Sequence, residues 1–511
     1  MAHDGPPMKV QEFFARLRSH PPYEPALQGS GSTLSYGALL DAVDALAELL
    51  VAAGVRALAT RLPNGPAWIV ADLAALRAGV VHVPLPLFFT AEQQAFVLGA
   101  AGADALLQEA APRPAQAIDV AGERLALVRR VAAAAPMPAG TRKVTFTSGT
   151  TATPKGVCLG EAMLGVADGL AQALAPLAVR RHLCALPLPL LLENLAGVYA
   201  PLASGATVVV PSAESVGLAG SSGFNPAALD AAVRRRRAES VIVLPQMLRS
   251  WSAWRSALRA APLPTLKFVA AGGAHVGAAA IAQARLAGLP AYEGYGLSEA
   301  GSVQTLNLPH ADRPGSAGRA LPHARVRVDA DGEIRVAGSL MLGYLGSHPA
   351  ATPAWLATGD LGRIDADGFL HIEGRRRNVL ITSFGRNVSP EWVESELQAS
   401  PAVAQAVVLG DGRPALAAVL WPARAQAADD ELAQAVARAN ARLPDYARVA
   451  RWVRGRAPFS AAGGLATANG RPRREPIERL HADGLFPETP TALPHLPEHH
   501  DVPRPTAGID R

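Results

Sequence analysis

Residues 240–271 read SVIVLPQMLRSWSAWRSALRAAPLPTLKFVAA. The runs at its two ends, Ser240–Leu244 and Lys267–Ala271, are short and almost entirely apolar, as is typical of strands buried on both faces. The stretch between them has a helical pattern. A strand–helix–strand order of this kind predicts a βαβ unit in a parallel sheet covered by helices. Ligands of such sheets bind at the carboxyl ends of the strands.

The same alternation of strands and helices extends over most of the chain. Apolar runs at 80–85 and 206–210 predict further strands, and Ser35 is placed to cap a helix that ends before Gly54. From about residue 378 the pattern changes to a predicted hairpin around Asp411–Gly412, followed by a helix near residues 429–443. We therefore expect an α/β protein with a large N-terminal domain (1–376) of parallel or mixed sheets, a small α+β domain (377–485) and a disordered tail (486–511).

The composition excludes several classes of protein. The chain has 511 residues, a net charge of +5 and 18% charged residues, which argues against a nucleic-acid-binding protein and against wholesale disorder. Two cysteines are too few for a disulfide framework or a zinc site. No apolar run approaches the ~18 residues that a membrane span needs, and the N-terminus lacks the apolar core of a signal peptide. We expect a soluble, cytoplasmic protein.

The segment TSGTTATPKG (147–156) follows a predicted strand and carries the first candidate site. Its hydroxyl groups and free backbone N–H groups can wrap a polyphosphate, and Lys155 supplies a compact positive charge. The chain has four lysines among 48 basic residues, and the last of them is Lys267, so a lysine kept in this loop favours function. The candidate phosphate-binding residues are Thr147, Ser148, Gly149, Thr150, Thr151 and Lys155.

This segment resembles the TSGTTGxPKG signature of the adenylate-forming superfamily, which includes acyl-CoA synthetases, peptide-synthetase adenylation domains and luciferases. Ala152 replaces one glycine of the signature. The resemblance, including the stretch TSFGRNVSPEW (382–392), is greatest to the fatty-acyl ligases. Four further motifs follow in family order, which makes coincidence negligible. They are Gly272-Gly273-Ala274, Tyr295-Gly296-Leu297-Ser298-Glu299 (YGxTE), Thr358-Gly359-Asp360 (TGD) and Gly374-Arg375 (GR).

The resemblance implies roles for these residues. Residues 272–274 would form the adenine-binding turn, and the Tyr295 ring would lie beside the adenine. Glu299 would hold Mg²⁺, a hard cation that prefers oxygen ligands. Asp360 would accept hydrogen bonds from the ribose hydroxyls, and Arg375 would also contact the ribose.

The resemblance also implies a mobile C-terminal domain. Arg377 occupies the hinge position, where relatives usually have Asp or Lys, and Gly385 lies in the loop that faces the thiol in the second half-reaction. LATANGR (465–471) resembles the family's LTxNGK, with Arg471 in place of the catalytic lysine. Because no lysine follows Lys267, either Arg471 supplies the charge or adenylation is impaired.

The implied reaction is ATP-dependent activation of a carboxylic acid to an acyl-adenylate, followed by transfer to the thiol of coenzyme A or of a carrier protein's phosphopantetheine. The aliphatic stretch 186–192 favours an apolar pocket for an acyl or aryl chain, so we expect a fatty or similar apolar acid. Glu193 could instead hold a cationic substrate. Two alternatives stay open. One is an acyl-AMP ligase that serves an amine or a dedicated carrier, and the other is a degenerate nucleotide-binding protein.

Overall fold

A computed structural model describes residues 8–109, 116–133, 135–147, 154–219, 223–347, 352–376, 378–381, 383, 387–467 and 470–486. The expected tail lies outside these residues apart from Phe486. Within these ranges, no helix has the length and apolar character that crossing a membrane requires.

Twelve α-helices occur in the described ranges, and one π-helix, Glu193–Tyr199, precedes the sixth of them. They are α1 (Val10–Arg18), α2 (Tyr36–Ala52), α3 (Pro66–Ala78), α4 (Ala91–Ala100), α5 (Met163–Leu174), α6 (Ala200–Ala203), α7 (Pro226–Arg236), α8 (Pro245–Ala257), α9 (Ala278–Leu286), α10 (Pro390–Gln398), α11 (Asp429–Asn440) and α12 (Arg474–Leu485).

The strands, numbered along the chain, form two large sheets and several small ones. Up to the end of the phosphate-binding segment they are β1 (Pro25–Gln28), β2 (Thr33–Ser35), β3 (Ala57–Arg61), β4 (Val81–Pro84), β5 (Ala105–Gln108), β6 (Gln116–Val120), β7 (Glu123–Arg129), β8 (Lys143–Thr147) and β9 (Lys155–Leu159). The next are β10 (Arg181–Leu183), β11 (Thr207–Val209), β12 (Leu218–Ala219), β13 (Gly223–Phe224), β14 (Ser240–Val243), β15 (Phe268–Ala271), β16 (Ala291–Leu297), β17 (Ser302–Leu306) and β18 (Arg319–Ala320). The last are β19 (Ala324–Val328), β20 (Glu333–Gly338), β21 (Gly343–Tyr344), β22 (Leu356–Ile364), β23 (Leu370–Arg375), β24 (Leu380–Ile381), β25 (Asn387–Val388), β26 (Val403–Leu409), β27 (Leu416–Pro422) and β28 (Val449–Arg454).

One large sheet has nine strands in the order β18-β17-β16-β15-β14-β10-β11-β1-β2, and its central pairs are parallel. The quoted stretch forms β14, α8 and β15, with β14 and β15 paired in parallel. The other large sheet has eight strands in the order β21-β9-β8-β4-β3-β5-β7-β6. The predicted α/β class with mixed sheets is therefore confirmed.

The C-terminal part has its own sheet, in the order β26-β27-β28, and its own apolar core beneath α10 and α11. The predicted hairpin is present as the antiparallel pair β26–β27, but its connection comprises residues 410–415. Asp411 and Gly412 are the central residues of a turn in which the Arg413 N–H donates to the Gly410 carbonyl oxygen at 3.1 Å. The type I′ turn that an Asp-Gly pair predicts is wrong, because it needs positive φ at both central residues and only Gly412, at 67°, has it.

Two helix starts follow the sequence signals directly. The Ser35 hydroxyl accepts a hydrogen bond from the Ala38 N–H at 3.2 Å and caps α2. The Ser389 hydroxyl accepts one from the Trp392 N–H at 3.4 Å, with Pro390 as the first residue of α10. Both predicted caps are confirmed.

A buried polar network joins the eight-stranded sheet to the π-helix. The Lys143 ammonium lies 2.9 Å from Asp72 Oδ1 and also donates to Asn194 on the π-helix. Asp72 accepts a further hydrogen bond from Asn194 Nδ2 at 2.8 Å, and His82 Nδ1 lies 2.6 Å from its other oxygen. Burial opposes ionisation of Asp72, but the Lys143 and His82 charges hold the pKa of that carboxyl below its usual range.

The neighbouring π-helix residue, Glu193, binds the other sheet. Its carboxylate lies 3.1 Å from His182 Nε2 on β10 and accepts the Leu186 N–H at 2.9 Å. Adjacent residues of one π-helix thus join the two large sheets, and this wider helix leaves room for both contacts. Glycine is required at 197, because a Cβ there would lie 2.0 Å from Glu193 Oε1.

We predict that Asp72→Asn destabilises the protein by about 3–5 kcal/mol, because it leaves the Lys143 ammonium buried without a counter-charge. The Asp72→Asn, Lys143→Met double variant removes both charges and is expected to lose less. Urea unfolding of the single and double variants measures the difference. A double variant less stable than Asp72→Asn alone would contradict the role of this ion pair.

Candidate active site

The candidate site lies in a cleft where the two large sheets face the C-terminal domain. The cleft and its inner extension have a volume of about 2270 Å³. Most of the described motif residues line it, as listed here: Lys155, Gly272, Gly273, Ala274, Tyr295, Gly296, Ser298, Glu299, Asp360, Arg375 and Arg471. The fold therefore brings together motifs that are separated by up to some three hundred residues.

Asp360 lies at the centre of a group of hydrogen bonds in the cleft and is only 3% exposed. The Tyr295 hydroxyl donates to its Oδ2 at 2.7 Å, and Arg375 Nε donates to its Oδ1 at 2.7 Å. Burial and the Asp360 charge raise the pKa of Tyr295 well above its usual value, so the hydroxyl stays protonated. A carboxylate offers about four lone-pair sites, which leaves Asp360 able to accept hydrogen bonds from a ligand.

Strand pairing explains this arrangement. Asp360 on β22 lies directly opposite Arg375 on β23 in an antiparallel pair, the position in which side chains of opposite charge meet. The turn before Asp360 is fixed as well. The Thr358 hydroxyl accepts the Asp360 N–H at 3.0 Å, and the Gly359 N–H donates to Glu333 Oε1 at 3.0 Å.

The Gly272–Ala274 turn leaves the carboxyl end of β15, where a parallel sheet is expected to bind ligands. Its far side is fixed by Glu293 on β16, whose carboxylate accepts the Val276 N–H at 3.0 Å and the Gly277 N–H at 3.3 Å. Burial raises the pKa of Glu293. Glu293 thus fixes the backbone that follows the turn, while residues 272–274 line the cleft.

Glu299 lies in a short 3₁₀ turn, Ser298–Ala300, after β16. Its Oε1 accepts a hydrogen bond from the Tyr344 hydroxyl at 3.0 Å. The centre of the same tyrosine ring lies 5.8 Å from the Lys155 ammonium, so Tyr344 is a neighbour of both Glu299 and Lys155. The remaining carboxylate oxygen is of the type that a hard divalent cation prefers.

Gly296 in this motif is required by close backbone approach. A Cβ at this position would lie 1.6 Å from the Ser302 carbonyl oxygen, where the pairing of β16 with β17 shifts register. The glycine of the YGxTE motif therefore permits the irregularity that turns the chain toward Glu299.

The phosphate-binding segment is described only at its two ends. Thr147 ends β8 and pairs with Lys155, the first residue of β9. Lys155 is exposed to the cleft. Ser148, Gly149, Thr150 and Thr151 lie outside the described residues, as do Arg377 and Gly385, so their predicted roles stay predictions.

Arg471 reaches the large domain from the C-terminal domain. Its Nη2 donates to the Gly273 carbonyl oxygen at 3.2 Å. The chain turns sharply just before this residue. The Thr467 N–H donates to the Arg471 carbonyl oxygen at 2.7 Å, and Gly470 has a φ of 75°. Desolvation by the cleft walls and repulsion by Arg375 lower its pKa, while the carboxylates of Asp360, Glu299 and Glu391 oppose this shift. Arginine nevertheless stays protonated at neutral pH.

The inner extension of the cleft is apolar. One wall is a face of the nine-stranded sheet, and the other wall is α5, the π-helix and α6. Small side chains leave it open, and they include Ala171, Ala196, Ala200, Ala203 and Ala270. Leu190, Leu191 and Leu192 line it as the sequence predicts. Glu193 is fully buried and bonded to His182, so the alternative of Glu193 as a pocket acid for a cationic substrate is wrong.

Family comparison agrees with these motifs. Residues 13–345 match AMP-binding enzyme, and residues 377–483 match the AMP-binding enzyme C-terminal domain. The chain belongs to the AMP-binding enzyme family. The predicted adenylate-forming superfamily is therefore confirmed, together with the expectation of an enzyme with a large N-terminal and a small C-terminal domain.

Individual relatives of this AMP-binding enzyme are ligases of carboxylic acids with coenzyme A. Feruloyl-CoA synthase of Amycolatopsis sp is 31% identical over 76% of this chain and 83% of that protein. Long-chain-fatty-acid–CoA ligase FadD15 of Mycobacterium bovis is 39% identical over 32% of this chain, and the match spans 28% of that ligase. The solved O-succinylbenzoate coenzyme A synthetase of Bacillus subtilis, in complex with AMP, is 25% identical, with a TM-score of 0.71 over 91% of this chain and 97% of that one.

Three residues around the site of this AMP-binding enzyme are not apparent from the motifs. Tyr344 positions Glu299, Glu333 fixes the turn before Asp360, and Glu293 supports the turn at Gly273. Each of them has a glycine as a neighbour, Gly343, Gly332 and Gly294, but none belongs to a motif quoted above. Their functions depend on strand pairing between distant parts of the chain, which no local pattern indicates.

We predict that Arg471→Ala lowers the rate of acid-dependent ATP–pyrophosphate exchange at least ~100-fold, the usual cost of losing one preorganised donor. Arg471→Lys keeps the charge and is expected to retain more activity than Arg471→Ala. Arg479→Ala, an exposed arginine of α12 paired with Glu475, is the control. Exchange by Arg471→Ala at the unchanged rate would remove this residue from the site.

Proposed function

We propose that this chain activates an apolar carboxylic acid with ATP and transfers the acyl group to a thiol. The observation that supports this most strongly is the convergence of Asp360, Glu299 and Arg471 in one cleft. That cleft continues into an apolar cavity large enough for an acyl chain. Three polar motifs at the mouth and an apolar interior suit a substrate with a charged head and an apolar body.

In the first half-reaction, a carboxylate oxygen of the acid attacks the α-phosphorus of ATP and pyrophosphate leaves. Asp360 and Arg375 would hold the ribose, and the turn at Gly273 would receive the adenine beside Tyr295. Lys155 and the backbone N–H groups of residues 147–151 would stabilise charge on the leaving phosphates. Arg471 would neutralise the substrate carboxylate as it approaches the α-phosphate.

The residues at Glu299 fit a magnesium ion. One carboxylate oxygen is oriented by Tyr344, and the other is available as a ligand. When bound, Mg²⁺ would supply positive charge at the phosphates. Glu299 itself would serve to hold the ion at the side of the cleft where Lys155 lies.

In the second half-reaction, a thiolate attacks the acyl carbon and AMP leaves. Arg471 now occupies the cleft at Gly273, so the small domain must move before a second loop can face the thioester-forming centre. We propose Arg377 as the hinge and Gly385 as the residue of that loop. Arg376 directly precedes the proposed hinge. Its N–H donates to the Gly359 carbonyl oxygen at 2.8 Å, so the backbone is bound to the large domain as far as residue 376. Such motions pivot on a few residues at the ends of elements.

The acid is proposed to be a fatty acid or a similar apolar acid, and the thiol to be that of coenzyme A. Relatives that act on fatty and aromatic acids agree with an apolar cavity. A carrier protein's phosphopantetheine offers the same thiol and stays an alternative acceptor. An amine acceptor would consume the same acyl-adenylate.

The test is pyrophosphate release with a panel of straight-chain and aromatic acids, with and without coenzyme A. We expect release to require acid and a thioester to form only with coenzyme A. Release without thioester formation would favour an amine or carrier acceptor. Measurable ATP binding without release from any acid would identify a degenerate nucleotide-binding protein and contradict the proposal.

The same panel of acids tests where the acyl chain of the substrate binds. Ala196→Phe places a ring in the inner extension of the cleft, and we expect it to lower kcat/KM for long acids at least ~10-fold while short acids are used as before. Ala45→Phe on the exposed face of α2 is the matched control. Equal losses for long and short acids would place the chain elsewhere.

A further inference from the structure

Arg249 on α8 is a cation of the cleft that the adenylation machinery does not use. It lines the cleft and is half-buried. Among the residues that the structure describes, its guanidinium has neither a hydrogen-bond partner nor an ion-pair partner. The other partly buried arginines of the cleft, Arg16 and Arg474, are paired with Asp168 and Glu394.

The burial of Arg249 makes the lack of a partner unusual. Burial lowers the pKa of Arg249 to about 10, and no carboxylate contributes to the shift. The group is therefore positively charged at neutral pH where water is partly excluded. No anion of the described part of the chain compensates this charge, which is costly unless a ligand does so.

Arg249 lies on the helix whose N-terminal end borders both the turn at Gly273 and the loop that carries Arg471. Leu244, immediately before α8, lies against the turn at Gly273, at 3.1 Å from the position of a Cβ there. Gln246, one turn before Arg249 on the same exposed face of α8, lies beside Gly470 in the loop that presents Arg471. Arg249 is thus one helical turn, ~5 Å along the helix axis, beyond the point where α8 meets the catalytic loop.

We propose that Arg249 binds an oxyanion at the far end of a ligand in this cleft, either a second carboxylate of the acid substrate or a phosphate of the thiol acceptor. The proposal rests on the proposed function and adds a binding residue to the same cleft. A guanidinium offers five donors in a planar fork that suits both carboxylate and phosphate. The two sources share one chemistry and differ in which substrate carries the charge.

The experiment compares the full-length protein with Arg249→Met, which keeps an unbranched, flexible side chain and removes the guanidinium with its charge. One arm measures kcat/KM for monocarboxylic acids and for α,ω-dicarboxylic acids of equal length. The other arm measures binding of coenzyme A and of pantetheine, which lacks the phosphates, by calorimetry. Arg124→Met, an exposed arginine of β7 outside the cleft lining, is the control.

We expect Arg249→Met to weaken use or binding of one anionic ligand at least ~10-fold, as for the loss of a charge-assisted hydrogen bond, and to leave its uncharged partner unchanged. A loss confined to dicarboxylic acids assigns the anion to the acid. A loss confined to coenzyme A assigns it to the thiol acceptor. Equal losses for charged and uncharged partners, or no loss, would overturn the proposal. Failure of the wild-type protein to use any acid would instead contradict the proposed function, and the calorimetric arm would still report on Arg249.

Discussion

The hydrogen bond between the Arg471 guanidinium and the Gly273 carbonyl oxygen joins the two domains at the candidate site. The groups proposed to hold the nucleotide lie on the large domain, including Asp360 between Tyr295 and Arg375. A charge that arrives from a separate domain can be withdrawn when that domain moves. The proposed two-step chemistry depends on this, because the same cleft must first favour attack on ATP and then admit a thiol.

The cavity beneath that contact depends on how the two large sheets are held together. Glu193 and Asn194 are neighbours on one π-helix. The Glu193 side chain binds His182 of the nine-stranded sheet, and the Asn194 side chain binds Lys143 of the eight-stranded sheet. The ionic groups of this network are buried and paired. They therefore fix the position of the π-helix between the two sheets more than they add to the free energy of unfolding. The small residues on the same helix, among them Ala196, leave the space that an acyl chain would fill.

The sequence predicts the motif residues well, but it does not predict the residues that hold them in position. Asp360, Glu299 and Arg471 could be found because each stands in a short segment whose glycine and hydroxyl residues are unusual, and because the segments follow a family order. The α/β class follows from apolar strands such as Ser240–Val243 that alternate with helices. Tyr344 and the burial of Glu193 could not be foreseen, since each depends on a contact between elements far apart in the chain. The turn at Asp411–Gly412 is not of the predicted type I′, because an Asp-Gly pair favours positive φ at both residues but does not impose it.

The substitution of Arg471 for lysine is the point at which sequence left two outcomes open. The structure brings this guanidinium to Gly273, where the carboxylates of Asp360 and Glu299 act on it electrostatically. An arginine keeps the charge and adds donors for oxyanions. This placement favours an active enzyme over a degenerate one, and it makes adenylate formation the central claim.

Transfer of a labelled oxygen tests that claim directly. An acid that the protein consumes is supplied with ¹⁸O in both carboxylate positions, together with ATP and coenzyme A, and the AMP product is analysed by mass spectrometry. Attack of the carboxylate on the α-phosphorus predicts that AMP carries one ¹⁸O for each thioester formed. Thioester formation with unlabelled AMP would contradict an acyl-adenylate intermediate.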